Sequence, residues 1–293
     1  MDNDPKIITN QKCKQGSIIR DMFVDTADQN YVLARWCFQM GMPSDFLWNA
    51  THCLEKYLKA ILLYNDRSAK EGGHNAHVLY SKVKEFADDL LPGSLVKPDQ
   101  VEGQWTGEPA DFYVHRIYRN GDASVRYNLF GYNLMGADLF KLDQVVFALR
   151  RMCGFLDSYL FGNVAGGKHS VTLREHLLSQ PNYGGSLVAT KLGAIISNKS
   201  ENSLRHAALN CNFSFAPIDY PHDELSFGSS GKNASIGKYI IGPDEKGVVG
   251  QEARETAELA EWVLKNIHIG KKGEDPRKQL NEIRDNMRRR AKM

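Results

Sequence analysis

Between Arg20 and Met40 the apolar side chains Phe23, Ala27, Tyr31, Ala34 and Phe38 return every three or four residues, and Gly41 supplies a stop. That period predicts one buried face of an α-helix. A second helix is expected to start after Pro43, with Ser44 as its N-cap, and to run to about Asn65; its stripe of Phe46, Ala50, Leu54, Tyr57, Leu58, Ile61 and Leu62 is wide, and Glu55 and Lys59 stand one turn apart. A third, about His74 to Leu91, rests on Leu79, Val83, Phe86 and Leu90 and stops at Pro92-Gly93. Glu108-Pro109 opens a shorter helix ending at Asn120-Gly121. The clearest pattern runs from Ala137 to about Phe161 through Leu139, Leu142, Val146, Leu149, Cys153, Leu156 and Leu160, roughly 36 Å of helix at 1.5 Å per residue. Helices with such stripes and short connections bury them against one another, so a mainly α, antiparallel up-and-down bundle is expected over 20–161, preceded by an N-terminal arm, 1–19.

The glycine-bearing stretch Gly162–Gly167 reads as a domain boundary. Beyond it, 168–270 is expected to be a smaller, mostly helical region, with short patterns at about Ser170–Ser179, Ser186–Asn198 and Ser200–Asn210. A loop is expected over Phe213–Asn233, a short hairpin over Lys238–Gly250, and a helix over Gln251 to about Ile267, with Ala253, Ala257, Ala260, Leu264 and Ile267 on one face. The last segment, 271–293, holds nine basic and four acidic side chains, against 28 and 31 in the rest of the chain. Asp275 and Pro276 start a basic helix whose apolar seam is thin: Leu280, Ile283, Met287 and Ala291.

Composition narrows the class. With 42% apolar and 25% charged residues among 293, the chain has the balance of a globular protein with a proper core. A net charge of +2 excludes an overall nucleic-acid coat. The polar start Met1-Asp-Asn-Asp-Pro-Lys lacks the apolar core of a signal peptide. Apolar runs such as Ala60–Tyr64 fall far short of the ~20 residues that cross a bilayer. Five widely spaced cysteines, Cys13, Cys37, Cys53, Cys153 and Cys211, read as free thiols. A cytoplasmic protein without membrane contact is expected.

Asp45-Phe-Leu-Trp-Asn-Ala-Thr-His-Cys-Leu-Glu-Lys-Tyr-Leu-Lys-Ala-Ile-Leu-Leu-Tyr64, followed by Gly73-His-Asn-Ala-His-Val-Leu-Tyr80, carries a resemblance. This order of words, with Tyr31-Val-Leu-Ala-Arg35 before it and Val125-Arg-Tyr127 after it, resembles the HEPN (higher eukaryote and prokaryote nucleotide-binding) superfamily over about Arg20 to Phe161. The resemblance implies a helical bundle, frequently a homodimer, in RNA processing, toxin–antitoxin pairs and phage defence. Many such proteins are metal-independent endoribonucleases with an Arg-x(4–6)-His motif. There the histidine serves as general base or acid on a 2′-hydroxyl and the arginine stabilises charge on the phosphate. Others lack the motif and serve as binding or scaffolding partners.

Only Arg67 and His74 have that spacing here, with six residues between them and earlier in the chain than the family's pair; Arg126 is followed by Gly131, Tyr132 and Asn133 where a histidine would be needed. The expectation is therefore a non-catalytic RNA- or nucleotide-associated partner protein of a prokaryotic defence or toxin–antitoxin system. Lys59, His77, Arg126, Arg288, Arg289 and Arg290 are its candidate RNA or nucleotide contacts. A nucleotidyltransferase or nuclease is a candidate protein partner. The alternatives are an endoribonuclease using Arg67 and His74, and a structural assembly subunit. His74 and His77 stand three apart, but no third ligand lies nearby, so neither metal nor cofactor is expected. Ser226–Asn233 departs from a phosphate loop at its first glycine and its Ser/Thr. Arg205-His206 and the group Asp219, His222, Asp223 and Glu224 read as solvated polar surface.

Overall fold

The structure, a computed structural model, describes residues 10–102, 105–122, 131–159, 171–182, 190–198, 200, 202–225, 229–232, 234–267 and 276–293. It is mainly helical and divides into two compact units, Met1–Gly121 with Met135–Gly228, and Asp122–Leu134 with Ser229–Met293.

The first unit is organised around the widest apolar stripe. Helix α3 (Pro43–Tyr64) buries thirteen of its 22 residues, including Phe46, Leu54, Leu58 and Ile61. Pro43, not a Ser44 cap, opens it: Met42 is the N-cap, no side chain caps the helix, and proline at N1 gives up only an N–H that would have no helical partner. Around α3 pack α1 (Asn10–Ile19), α2 (Asp25–Gln39), α4 (Ala76–Ala87), α5 (Ala110–Asn120) and α6 (Asp138–Arg151). Residues 10–19, expected in an arm, are thus helical. They join α2 through a π-turn, Arg20–Val24. Asn75 caps α4 by accepting from the N–H groups of His77 and Val78.

Helix α5 stops where it meets α3. Thr51 Oγ1 donates to the Ile117 carbonyl at 3.0 Å. A Cβ on Gly121 would lie 1.9 Å from that oxygen and 2.4 Å from the Leu47 carbonyl, so only glycine fits. Helix α6 ends at Arg151, ten residues before the end that the pattern predicts. Leu156 continues the buried stripe, but in a turn whose N–H is taken by Asn65 Oδ1 and whose carbonyl accepts from the N–H of Arg174. Burial periodicity persists there after the helix has ended.

The expected boundary at Gly162–Gly167 lies outside the described residues, yet the chain on either side of it belongs to the same unit. Helices α7 (Leu173–Ser179), α8 (Lys191–Ser197) and α9 (Ser203–Leu209) are short, and Thr172, Thr190 and Asn202 cap them. Helices α8 and α9 pack on α2, and two fully buried ionic side chains of α2 hold them there. Asp28 accepts from Tyr57 Oη at 2.6 Å, Arg150 Nε at 2.9 Å and the Leu192 N–H at 2.7 Å. Arg35 pairs with Asp143 and donates to the carbonyls of Ala207 and Asn210. Tyr31 completes the set, donating to Asp143 at 2.6 Å and accepting from Asn212 at 2.9 Å. Burial pushes the Asp143 carboxyl above its ordinary range although Arg35 pulls it down.

In the second unit, β1 (Tyr132–Leu134) pairs antiparallel with β2 (Ser230–Lys232), Tyr132 opposite Lys232. The hairpin expected over Lys238–Gly250 is not formed. Gly237–Ile241 is a π-turn that runs into α10 (Gly242–Lys246), with Pro243 in the first helical turn and Gly247 ending it at φ +70°. A short apolar run such as Tyr239-Ile-Ile suits strand and helix alike, and the proline and glycine settle it as helix. Helices α11 (Gly250–Asn266) and α12 (Pro276–Arg290) pack through Ala253, Ala257, Ala260 and Leu264 against Leu280, Ile283 and Met287.

Gly121→Ala should lower stability to urea by about 1–3 kcal/mol through overpacking. Gly107→Ala, whose Cβ would meet nothing within 4 Å, should be close to neutral by comparison; equal effects would contradict the crossing described. Arg35→Ala should cost about 3–5 kcal/mol by stranding the buried Asp143. The double change Arg35→Met, Asp143→Leu should recover part of that loss in the same measurement.

Candidate functional site

Glu55 is the polar centre of the first unit's candidate site. It lies on the polar edge of the α3 stripe, only 5% exposed, because Lys59 and His74 cover it. Lys59 Nζ, one turn on, is 2.7 Å from Oε1, and His74 Nδ1 is 2.9 Å from the same oxygen. His52 Nδ1 lies 3.7 Å from Oε2, a longer contact, and packs its ring 4.3 Å from Trp48. Gly73, at φ +54°, and the Asn75 cap turn the chain so that His74 reaches Glu55. Burial disfavours the Glu55 charge, but the donors of His52, Lys59 and His74 outweigh it and hold the pKa down to about 2. His74 itself stays two-thirds exposed.

The other predicted residues fall elsewhere. Arg67 leaves α3 through Asp66, a non-glycine residue at φ +56°. Its guanidinium lies over the Phe86 ring at 4.2 Å and 3.8 Å from Glu85. Those partners end α4, whereas His74 precedes its first turn; ten residues of helix separate the two ends by roughly 15 Å. The structure therefore brings His74 and Lys59 together on Glu55, and gives Arg67 a different set of neighbours. His77 packs against His115 of α5, their ring centres 4.6 Å apart and their planes tilted by 49°. Burial, then the neighbouring His77 and Arg119, push the His115 pKa down. Arg126 lies outside the described residues.

In the second unit the basic helix is docked on its own neighbour. Arg284 and Arg288 each reach Glu261 of α11 at 3.1 Å, and Arg290 binds the carbonyl and carboxylate of Asp244. Arg289 donates to Asn286. Among the described residues, no group of three His, Cys, Asp or Glu side chains is placed to hold a metal ion.

One feature escapes the linear pattern: a cleft of about 890 Å³ in the first unit, walled by the start of α9 and the turn at 217–223. The chain folds back on itself between the two walls. Asn212 Oδ1 caps the N–H groups of Ser214 and Phe215, and Cys211, at φ +52°, donates its N–H to His222 Nδ1. Phe213 stacks on Phe140 of α6, seating the turn on the core. His206 Nε2 then meets Asp223 at 3.1 Å, and the Arg205 guanidinium lies 5.2 Å from the Tyr220 ring centre. Thus the solvated pair and the solvated acidic group of the sequence face each other. The opposite charges seventeen residues apart were the available signal, but only the reversal at Cys211 joins them.

Compared with known proteins, the chain matches no family model, no curated protein and no solved structure.

The Glu55 cluster has a pH consequence. Its carboxyl is held below the ordinary value, so its stabilisation is complete above about pH 5 and is lost as pH falls toward 2. Glu55→Gln should remove up to about 3 kcal/mol at pH 7 and flatten the acid limb of the stability–pH curve recorded by thermal melts. An unchanged acid limb would show that Glu55 is not so held.

Proposed function

We propose that this protein is a non-catalytic, RNA- or nucleotide-associated binding partner of HEPN type, acting as a homodimer in a prokaryotic defence or toxin–antitoxin setting. The resemblance carried by Asp45–Tyr64 and Gly73–Tyr80 supports the family and the setting. The separation of Arg67 from His74 across α4 supports the absence of catalysis, because the proposed chemistry needs base and phosphate-stabilising cation at one reacting centre.

An endoribonuclease remains the second reading, on one specific observation. Buried Glu55 orients the exposed His74 ring through Nδ1, the arrangement by which a carboxylate positions a histidine for proton transfer.

Both readings meet in one assay. Labelled single-stranded RNA is incubated with the purified chain in EDTA, beside Arg67→Ala and His74→Ala. No cleavage is expected; cleavage abolished by either substitution would instead establish the enzyme. In parallel, RNA affinity should fall as salt rises. Arg289→Ala and Lys292→Ala, in the last basic turns of the chain, should each lower the salt slope by about 1 if they contact phosphate. Salt-independent absence of binding would leave only the assembly-subunit alternative.

A further inference from the structure

The cleft between α9 and the 217–223 turn gathers a cation, an anion and an aromatic ring; the guanidinium of Arg205 already meets the Tyr220 ring at 5.2 Å, and that ring also packs 5.7 Å from His222. Arg205 is fixed at one end, its Nε donating to the Ile196 carbonyl at 3.0 Å, while its terminal nitrogens make no hydrogen bond among the described residues. The Asp219 carboxylate has no partner among the described residues either. Tyr220, between Pro217 and Pro221 in the wall, offers an aromatic surface beside the guanidinium. Asp223 is already engaged by His206.

These groups select among ligands. A free guanidinium is a fork for one phosphate or carboxylate. A free carboxylate accepts from hydroxyl or amino groups, and an aromatic ring in a cleft wall suits a planar base. One unpaired cation against one unpaired anion fits a ligand with a single anionic group and neutral donors. A polyphosphate would meet Asp219 unfavourably, and a basic peptide would meet Arg205 unfavourably. The cavity lies within the roughly 300–1,000 Å³ usual for small-molecule sites.

We infer that this cleft binds a nucleoside 5′-monophosphate, its base on Tyr220, its phosphate on Arg205 and its ribose hydroxyls on Asp219. The inference rests on the nucleotide-associated reading above and gives it a location outside the region of HEPN resemblance.

Calorimetric titration of the full chain with AMP, GMP, CMP and UMP, and with the matching nucleosides, tests it. At least one monophosphate should bind tenfold or more tighter than its nucleoside. Arg205→Gln should erase that difference, the monophosphate losing at least tenfold more affinity than the nucleoside. Tyr220→Ala should weaken both at least tenfold, while Tyr220→Phe keeps both. Asp219→Asn should weaken binding several-fold; tighter binding would mean that Asp219 only repels phosphate and would remove it from the site. Circular dichroism confirms the fold of each variant, and Arg205→Met, which also removes the charge, stands in should Arg205→Gln not fold. Failure of all four monophosphates to bind at millimolar concentration overturns the inference. So does affinity that is unchanged in both Arg205→Gln and Tyr220→Ala, or preferential binding of an arginine-rich peptide. If RNA still binds in a salt-dependent way when no monophosphate does, the cleft assignment fails and the broader reading survives.

Discussion

Two aspartate–arginine pairs buried beneath α2 are the constraint on which the first unit depends. Asp28, Arg35, Asp143 and Arg150 are each at most 1% exposed, and a charge removed from water so completely is tolerable only when its partners are fixed in place. The fixing partners come from four other helices of the unit: Tyr57 on α3, Asp143 and Arg150 on α6, Leu192 on α8, and Ala207 and Asn210 at the end of α9. Apolar stripes alone would let these helices slide or exchange neighbours at modest cost. The ionic cluster demands one arrangement, because every alternative strands a buried charge.

A second polar cluster does the same for α5 and α6. Arg116 reaches Glu108 and Asp138, each at 2.6 Å, and fully buried Lys141 reaches the same Glu108 oxygen at 2.6 Å. Two cations and two anions close on one another, and Lys141 also donates to the Thr106 carbonyl. By contrast, the Glu55 group pairs one buried carboxylate with side chains that stay partly in water. That asymmetry leaves its histidine open to a solute from outside, whereas the other two clusters are architecture.

The helices of the first half were legible because their stripes are long and their stops are glycine or proline. Helix α3 ends within a residue of its expected bound for that reason and starts two residues before the position after the expected Ser44 cap. What sequence periodicity could not reveal was anything decided by distant polar partners. Asp28 and Arg35 occupy ordinary helical positions, and nothing local says that they will hold residues more than 160 positions later. A glycine-bearing stretch therefore looked like a domain boundary, although the chain beyond it returns to the same unit. At the Glu55 site, the Lys59 pairing was readable at helical spacing, but the His74 contact needs the Gly73 turn. The cleft was less legible still, since each of its walls reads singly as solvated loop or helix face.

The π-turn at Arg20–Val24 carries one residue more than α-helical winding would. Core-facing Ile19 and Val24 are consequently five positions apart, a step that no uninterrupted α-helix places on one side. Side chains before the turn are thereby out of phase with those after it by about 100°. Any relative whose corresponding rod winds as plain α-helix throughout would align to this chain only with a one-residue gap inside continuous helix, a place where gaps are ordinarily forbidden.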